Sequence, residues 1–264
     1  MELGLKGKVA WVLGGSSGLG RASAHSLARE GALVAISSRD ENALREAATH
    51  IESDTGSRCI AIPLDVMDSQ AIAEAHKKLT GELGPVDVLV ANAGGPPAGS
   101  FEDLDDETMQ GAFNLTTASA WRLAHAVTPS MQERGSGAIL FLTSTSTKEV
   151  VGGLLLSNMM RAAVVGMAKT MSKELGAHGI RVLCVAPGRV ATKRLEELDA
   201  GRAAKTGETV EEVGQSWADM IPLGRYGKPV EFGDVVAFAA SERASYVTGT
   251  TIMVDGGLTN STHA

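Results

Sequence analysis

A run of glycines and small hydroxyls, Gly14-Gly15-Ser16-Ser17-Gly18-Leu19-Gly20, follows a short apolar stretch and leads straight into the helical pattern Arg21-Ala22-Ser23-Ala24-His25. Glycine lets the backbone turn sharply and approach a phosphate, while the free amides and positive dipole end of a following helix receive negative charge. A strand before and a helix after make this run a site for a dinucleotide's pyrophosphate rather than an ordinary turn. Nineteen residues beyond Gly20, in Ile36-Ser37-Ser38-Arg39-Asp40, Arg39 falls where an adenosine ribose would lie. A free 2′-hydroxyl favours a carboxylate at that place and a 2′-phosphate favours an arginine, so the residue type points to NADP(H) in preference to NAD(H). Asp40 suits the N-terminal end of the next helix instead.

The elements that must position these residues are legible as an alternation. Residues 8–13, 32–37, 58–63, 86–91, 138–143, 180–186 and 250–254 read as strands, and 18–30, 40–53, 69–81, about 107–134, 158–177 and 230–241 as amphipathic helices. The strands are almost continuously apolar, as strands buried on both faces are. The pattern therefore predicts an α/β, doubly wound (Rossmann) fold: a seven-stranded parallel sheet with helices on both faces. The 264 residues fit a single domain, 1–264. The polar stretch 189–220 interrupts the rhythm and reads either as a mobile substrate lid or as a plain surface insertion. The last residues, 259–264, are expected to fray.

Composition narrows the partners. With 44% hydrophobic residues and a formal charge of −7, the chain lacks the basic footprint of a nucleic-acid or anionic-membrane binder, though a local positive site for a small anion remains open. The apolar run at 9–13 is too short for a signal-peptide core, and no stretch approaches the ~20 apolar residues of a spanning helix. Cys59 and Cys184 sit in apolar strands and are expected to be reduced, structural thiols of a cytoplasmic protein. The six histidines, His25, His50, His76, His125, His178 and His263, show no metal-ligand spacing, so no metal is expected.

Taken together the motifs resemble the short-chain dehydrogenase/reductase family, in particular 3-oxoacyl-acyl-carrier-protein reductases, over essentially the whole chain. Leu13 to Gly20 is similar to the family's TGxxxGxG loop, with Leu13 in place of threonine. Asp65-Val66 resembles the pair beside the adenine ring, and Asn92-Ala93-Gly94 the NAG signature that braces the sheet. Pro187-Gly188, Val190 and Thr192 resemble the segment that holds the nicotinamide carboxamide, and Gly249 with Val254-Asp255-Gly256-Gly257 the family's C-terminal ending. The resemblance implies a small-molecule or thioester-linked carbonyl substrate and a homotetramer built on the helices near 107–134 and 158–177.

The family reduces carbonyls with an Asn-Ser-Tyr-Lys tetrad. Asn114 resembles its asparagine and Ser144 its serine, but the tyrosine and lysine positions fall on Ser157 and Arg161, in Ser157-Asn158-Met159-Met160-Arg161. The only tyrosines, Tyr226 and Tyr246, lie far toward the C-terminus and are expected to pack or cap. An aliphatic hydroxyl is a far weaker acid than a phenol, and an arginine keeps its charge without releasing a proton. Proton delivery is then left to water linked through Asn114 or to Lys148, with Ser144 and Ser157 holding the carbonyl oxygen. A solvated Lys148–Glu149 pair is the ordinary reading of the lysine. Two functions follow: an atypical NADP-dependent short-chain oxidoreductase with an altered proton donor, or a catalytically inactive NADP-binding sensor or scaffold.

Overall fold

The computed structural model describes residues 2–262. Seven strands form one sheet: β1 (Val9–Leu13), β2 (Leu33–Ser37), β3 (Cys59–Ala61), β4 (Val88–Ala91), β5 (Gly137–Leu142), β6 (Ile180–Pro187) and β7 (Thr251–Val254). Their order is β3-β2-β1-β4-β5-β6-β7 and every pairing is parallel. The chain runs outward from β1 in one direction and from β4 in the other. A crevice therefore opens between the C-terminal ends of β1 and β4, where open α/β sheets bind their ligands.

Nine α-helices are described: α1 (Gly18–Arg29), α2 (Glu41–Thr55), α3 (Ser69–Leu83), α4 (Asp106–Ala112), α5 (Ser119–Arg134), α6 (Leu155–Leu175), α7 (Lys193–Thr206), α8 (Val210–Met220) and α9 (Pro229–Ala240). One apolar cluster joins α1, α2 and α9 to the sheet through Leu27, Leu44 and Phe232, and a second joins α3, α5 and α6 to the other face through Leu79, Leu123 and Val164. The doubly wound α/β reading is thus correct in architecture and strand number. Asp40 caps α2, accepting from the amide of Ala43 at 3.1 Å.

Two local features differ from the sequence reading. The helix expected near 107–134 is interrupted, because Phe113–Ala118 adopts a π-helical turn between α4 and α5. Such a turn holds an extra residue and re-aims the side chains on it, and no propensity marks it in sequence. Segment 189–220 folds as α7 and α8, capped by Thr192 and by the reciprocal Thr209–Glu212 box. Only Asp199, Ala203 and Val213 of these helices are buried; α7 presents almost no apolar face, whereas α8 spaces Val210, Val213, Trp217 and Met220 along one. At the C-terminal end, Asp255 accepts from the amide and hydroxyl of Thr259, and Glu149 accepts from the amide of Asn260. Residues 263 and 264, with His263, lie outside the described residues.

Cys59 and Cys184 are buried and unbonded to each other, and burial pushes both thiols up to about 12, which keeps them protonated and inert. Trp11 is fully buried at the centre of the sheet. It donates its indole N–H to Ser37 Oγ at 3.0 Å and stacks on His76 with centroids 5.9 Å apart. Burial lowers the His76 pKa from its ordinary 6.5, and Nε2 has no partner among the described residues. Between the two pKa values the unfolded chain binds the extra proton, so His76 favours the fold fully above about pH 6.5 and that contribution is lost as the pH falls. Urea melts should therefore show wild type losing stability below pH 6.5 relative to His76→Leu; parallel pH profiles for the two proteins would contradict this.

Candidate active site

The turn from β1 into α1 is built on close backbone approach. Gly14 has φ +66°, and a Cβ there would stand 2.5 Å from Asn92 Nδ2, which reaches across the crevice to donate to the carbonyl of Leu13 at 3.3 Å. A Cβ on Gly20 would overlap the carbonyl of Gly14. The N-cap residue of α1, Ser17, makes no side-chain cap and the first turn holds no acid, so the amides at Gly18, Leu19 and Gly20 keep their donor capacity for an anion. In the turn, Ser16 is half-buried and Ser17 exposed. Beyond β2, Arg39 is exposed and makes no ion pair among the described residues. Asp65 accepts from the amide of Met67 at 2.9 Å through one oxygen, and Val66 packs half-buried against the core beside it.

Arg161 projects from α6 into the ends of β4 and β5. Its Nη1 donates to the carbonyls of Leu142 at 2.9 Å and Thr143 at 3.1 Å, immediately before Ser144. Burial first, and repulsion from the Arg194 guanidinium second, push its pKa down to about 10, so it stays charged at neutral pH. No carboxylate pairs with it among the described residues. Its guanidinium borders a cavity of about 20 Å³ shared with Asn92, Ala93, Thr116 and Thr143, room for roughly one water. The hydroxyls of Thr116 and Thr143 are buried there without a protein partner.

The remaining sequence-predicted residues are arranged around this charge. Ser157 lies one helical turn before Arg161 on the same face of α6, half-buried. Ser144 Oγ accepts from the amide of Ser146 at 3.1 Å, which aims its own proton elsewhere. Asn114 sits on the π-helical turn together with Thr116. Among the described residues no hydrogen bond joins Asn114 or Lys148 to Ser144 or Ser157. Glu149 is turned to Asn260, so Lys148 is half-buried without the expected carboxylate, and its charge lies close enough to Cys184 on β6 to affect that thiol. Pro187 ends β6 and Gly188 follows it, with the Gly188 amide bonded to the Val254 carbonyl at 2.9 Å; Gly94 is exposed.

The sequence profile of the family described as Enoyl-(Acyl carrier protein) reductase matches residues 14–259. Oxidoreductase UcpA of Escherichia coli (strain K12) is 34% identical over 259 residues, covering 97% of this chain and 95% of that protein. The 3-oxoacyl-[acyl-carrier-protein] reductase FabG of Thermotoga maritima is 33% identical, covering 96% of this chain and 98% of its own. L-sorbose reductase of Gluconobacter frateurii, solved with NADPH and L-sorbose, superposes with a TM-score of 0.93 at 31% identity, over 99% of this chain and 100% of that one. The chain belongs to the short-chain dehydrogenase/reductase family.

In this short-chain dehydrogenase/reductase, sequence reasoning missed what holds α7 and α8 in place. Arg189, directly after Pro187-Gly188, forms an ion pair with Asp199 of α7, both largely buried. Tyr226 donates its hydroxyl to the other Asp199 oxygen at 2.8 Å, and the Arg189 guanidinium lies 3.7 Å over the ring of Trp217 on α8. Tyr226 therefore packs and bonds, as expected, and Tyr246 is fully exposed. Burial and the bond to Asp199 push the Tyr226 phenol up to about 12. An isolated buried charge costs more than a pair, so Asp199→Ala should destabilise this segment by about 3–5 kcal/mol. Limited proteolysis within 193–220 should then accelerate sharply, whereas unchanged cleavage rates would show that the pair does not hold the segment.

Proposed function

We propose that the chain is an NADP-dependent short-chain oxidoreductase, similar to 3-oxoacyl-carrier-protein reductases, acting on a ketone/alcohol pair with an altered proton donor. The observation that carries this reading is Arg161: a half-buried guanidinium with no carboxylate partner among the described residues, bonded to the two carbonyls that precede Ser144. The glycine turn, the uncapped α1 terminus and the unpartnered Thr143 hydroxyl fit a dinucleotide, with Asp65, Val66, Asn92, Ala93 and Gly94 along its adenosine and ribose side and Pro187, Gly188, Val190 and Thr192 along its nicotinamide side. Arg39, free of a carboxylate, favours NADP(H) over NAD(H).

When bound, the cofactor supplies or takes the hydride at its nicotinamide. Ser157 and Arg161 stand in the family's tyrosine and lysine places. Arg161 binds ribose hydroxyls and holds positive charge near the reacting carbonyl, but it does not relay a proton. Ser144 and Ser157 donate to the carbonyl oxygen, and the proton reaches that oxygen from Lys148 or from water linked through Asn114. Without a positioned phenol the reaction runs slower by about 10²–10⁴-fold, while positioning for hydride transfer is retained. Exposed Met109, Phe113 and Trp121 on the α4–α5 side and Met159 on α6 support a homotetramer through these helices. No described helix is long and apolar enough to cross a membrane. A cytoplasmic location belongs to the same proposal and rests on the free, buried thiols of Cys59 and Cys184.

NADPH oxidation with an acetoacetyl thioester tests the reading. Slow turnover is expected in the natural chain, reduced at least about 10-fold in Lys148→Ala or Asn114→Ala, and raised in the double replacement Ser157→Tyr with Arg161→Lys. Turnover in the double replacement alone would favour a nucleotide-binding sensor. Arg39→Ala should weaken NADPH binding by about 10- to 100-fold and leave NADH binding unchanged; equal effects on both would remove the NADP preference.

A further inference from the structure

We propose that Arg194 is an additional cofactor-binding residue, a cationic strap on α7 whose guanidinium takes the dinucleotide's pyrophosphate from the side opposite the glycine turn. This rests on the dinucleotide reading above. The geometry is a bridge. Thr192, the N-cap of α7, packs against Gly18 at the start of α1, its side chain 3.6 Å from where a Cβ would stand. Two residues later Arg194 reaches the other way, donating from Nη2 to the Pro96 carbonyl at 3.4 Å and standing 3.3 Å from where a Gly95 Cβ would be. The side chain thus joins the first turn of α7 to the segment that follows Asn92-Ala93-Gly94.

The charges around this bridge point to an anion. The uncapped N-terminus of α1 is a positive dipole end, and so is the N-terminus of α7. Lys193 and Arg194 occupy the first turn of α7, the end of a helix where cations are unfavourable, with Glu196 the only acid in that turn. The Arg194 guanidinium is near enough to Arg161 to repel it. Against these stand only Glu197, 3.8 Å from Arg194, and no carboxylate for Arg161 among the described residues. In a chain of net charge −7, positive groups gathered around one crevice with Glu197 as their single ion-pair partner among the described residues fit a ligand carrying two negative charges. The buried Arg189–Asp199 pair with Tyr226 fixes α7 to the end of β6, which gives the strap a set base.

Fluorescence titration of the full chain with NADPH and NADH, together with displacement by 2′-AMP, separates the possibilities. Arg194→Ala should weaken NADPH and NADH binding alike, by about 10- to 100-fold for NADPH, and leave 2′-AMP, which lacks the pyrophosphate, unchanged. Arg194→Lys should recover part of the loss and flatten less of the salt dependence. Arg194→Ala affinities within twofold of wild type would overturn the strap, and so would an equal loss of 2′-AMP binding, which marks a general structural defect. Failure of the wild-type chain to bind either dinucleotide would instead overturn the dinucleotide reading itself.

Discussion

A charged, half-buried guanidinium at the end of a parallel sheet, held among the described residues by two backbone carbonyls, is the constraint around which this protein is arranged. Taking a cation from water is expensive, and the bonds from Arg161 to Leu142 and Thr143 offset part of that cost while leaving its remaining donors facing the crevice. The carbonyls are available because β5 ends there and β6 pairs with its other edge. The third side of the cavity comes from the π-helical turn, whose extra residue brings Thr116 inward on the same turn that carries Asn114. An uncompensated charge of this kind is retained where a ligand completes it.

The sheet supplies the opposite wall by steric exclusion. Asn92 touches the Gly14 turn and Gly20 touches the same turn from α1, so β1, β4 and α1 meet with no space for a side chain. The helix end that results carries no side-chain cap. The latch at Arg189, Asp199, Trp217 and Tyr226 converts a polar, nearly coreless pair of helices into a defined wall.

The parts of this arrangement that depend on burial or on glycine were legible in the sequence. Continuous apolar runs gave seven strands because a strand covered on both faces has no reason to alternate, and the Gly14 to Gly20 run marked the tight turn from β1 into α1 because only glycine fits the close approach at Gly14 and Gly20. Asp40 as a helix cap was readable for the same reason: its side chain serves the local backbone. The π-helical turn was not legible, since it is set by packing between α4, α5 and α6 rather than by residue preference. Helix α7 was hidden because its cap and one ion pair, not an apolar face, sustain it, while the apolar stripe of the short α8 was passed over in a polar stretch. Lys148 was read beside Glu149 from adjacency alone, whereas Glu149 turns to Asn260 across 111 residues of chain.

On the proposed reading, the charge at position 161 is fixed and the proton must come from elsewhere, which makes proton delivery the slow part of turnover. The most direct test is the rate of carbonyl reduction at saturating NADPH in H2O and in D2O, measured for the natural chain and for Ser157→Tyr with Arg161→Lys. The account predicts a clear solvent isotope effect in the natural chain that shrinks when the phenol and lysine are supplied. Turnover indifferent to D2O in the natural chain would contradict it, because the proton would then be delivered as readily as a tyrosine delivers one.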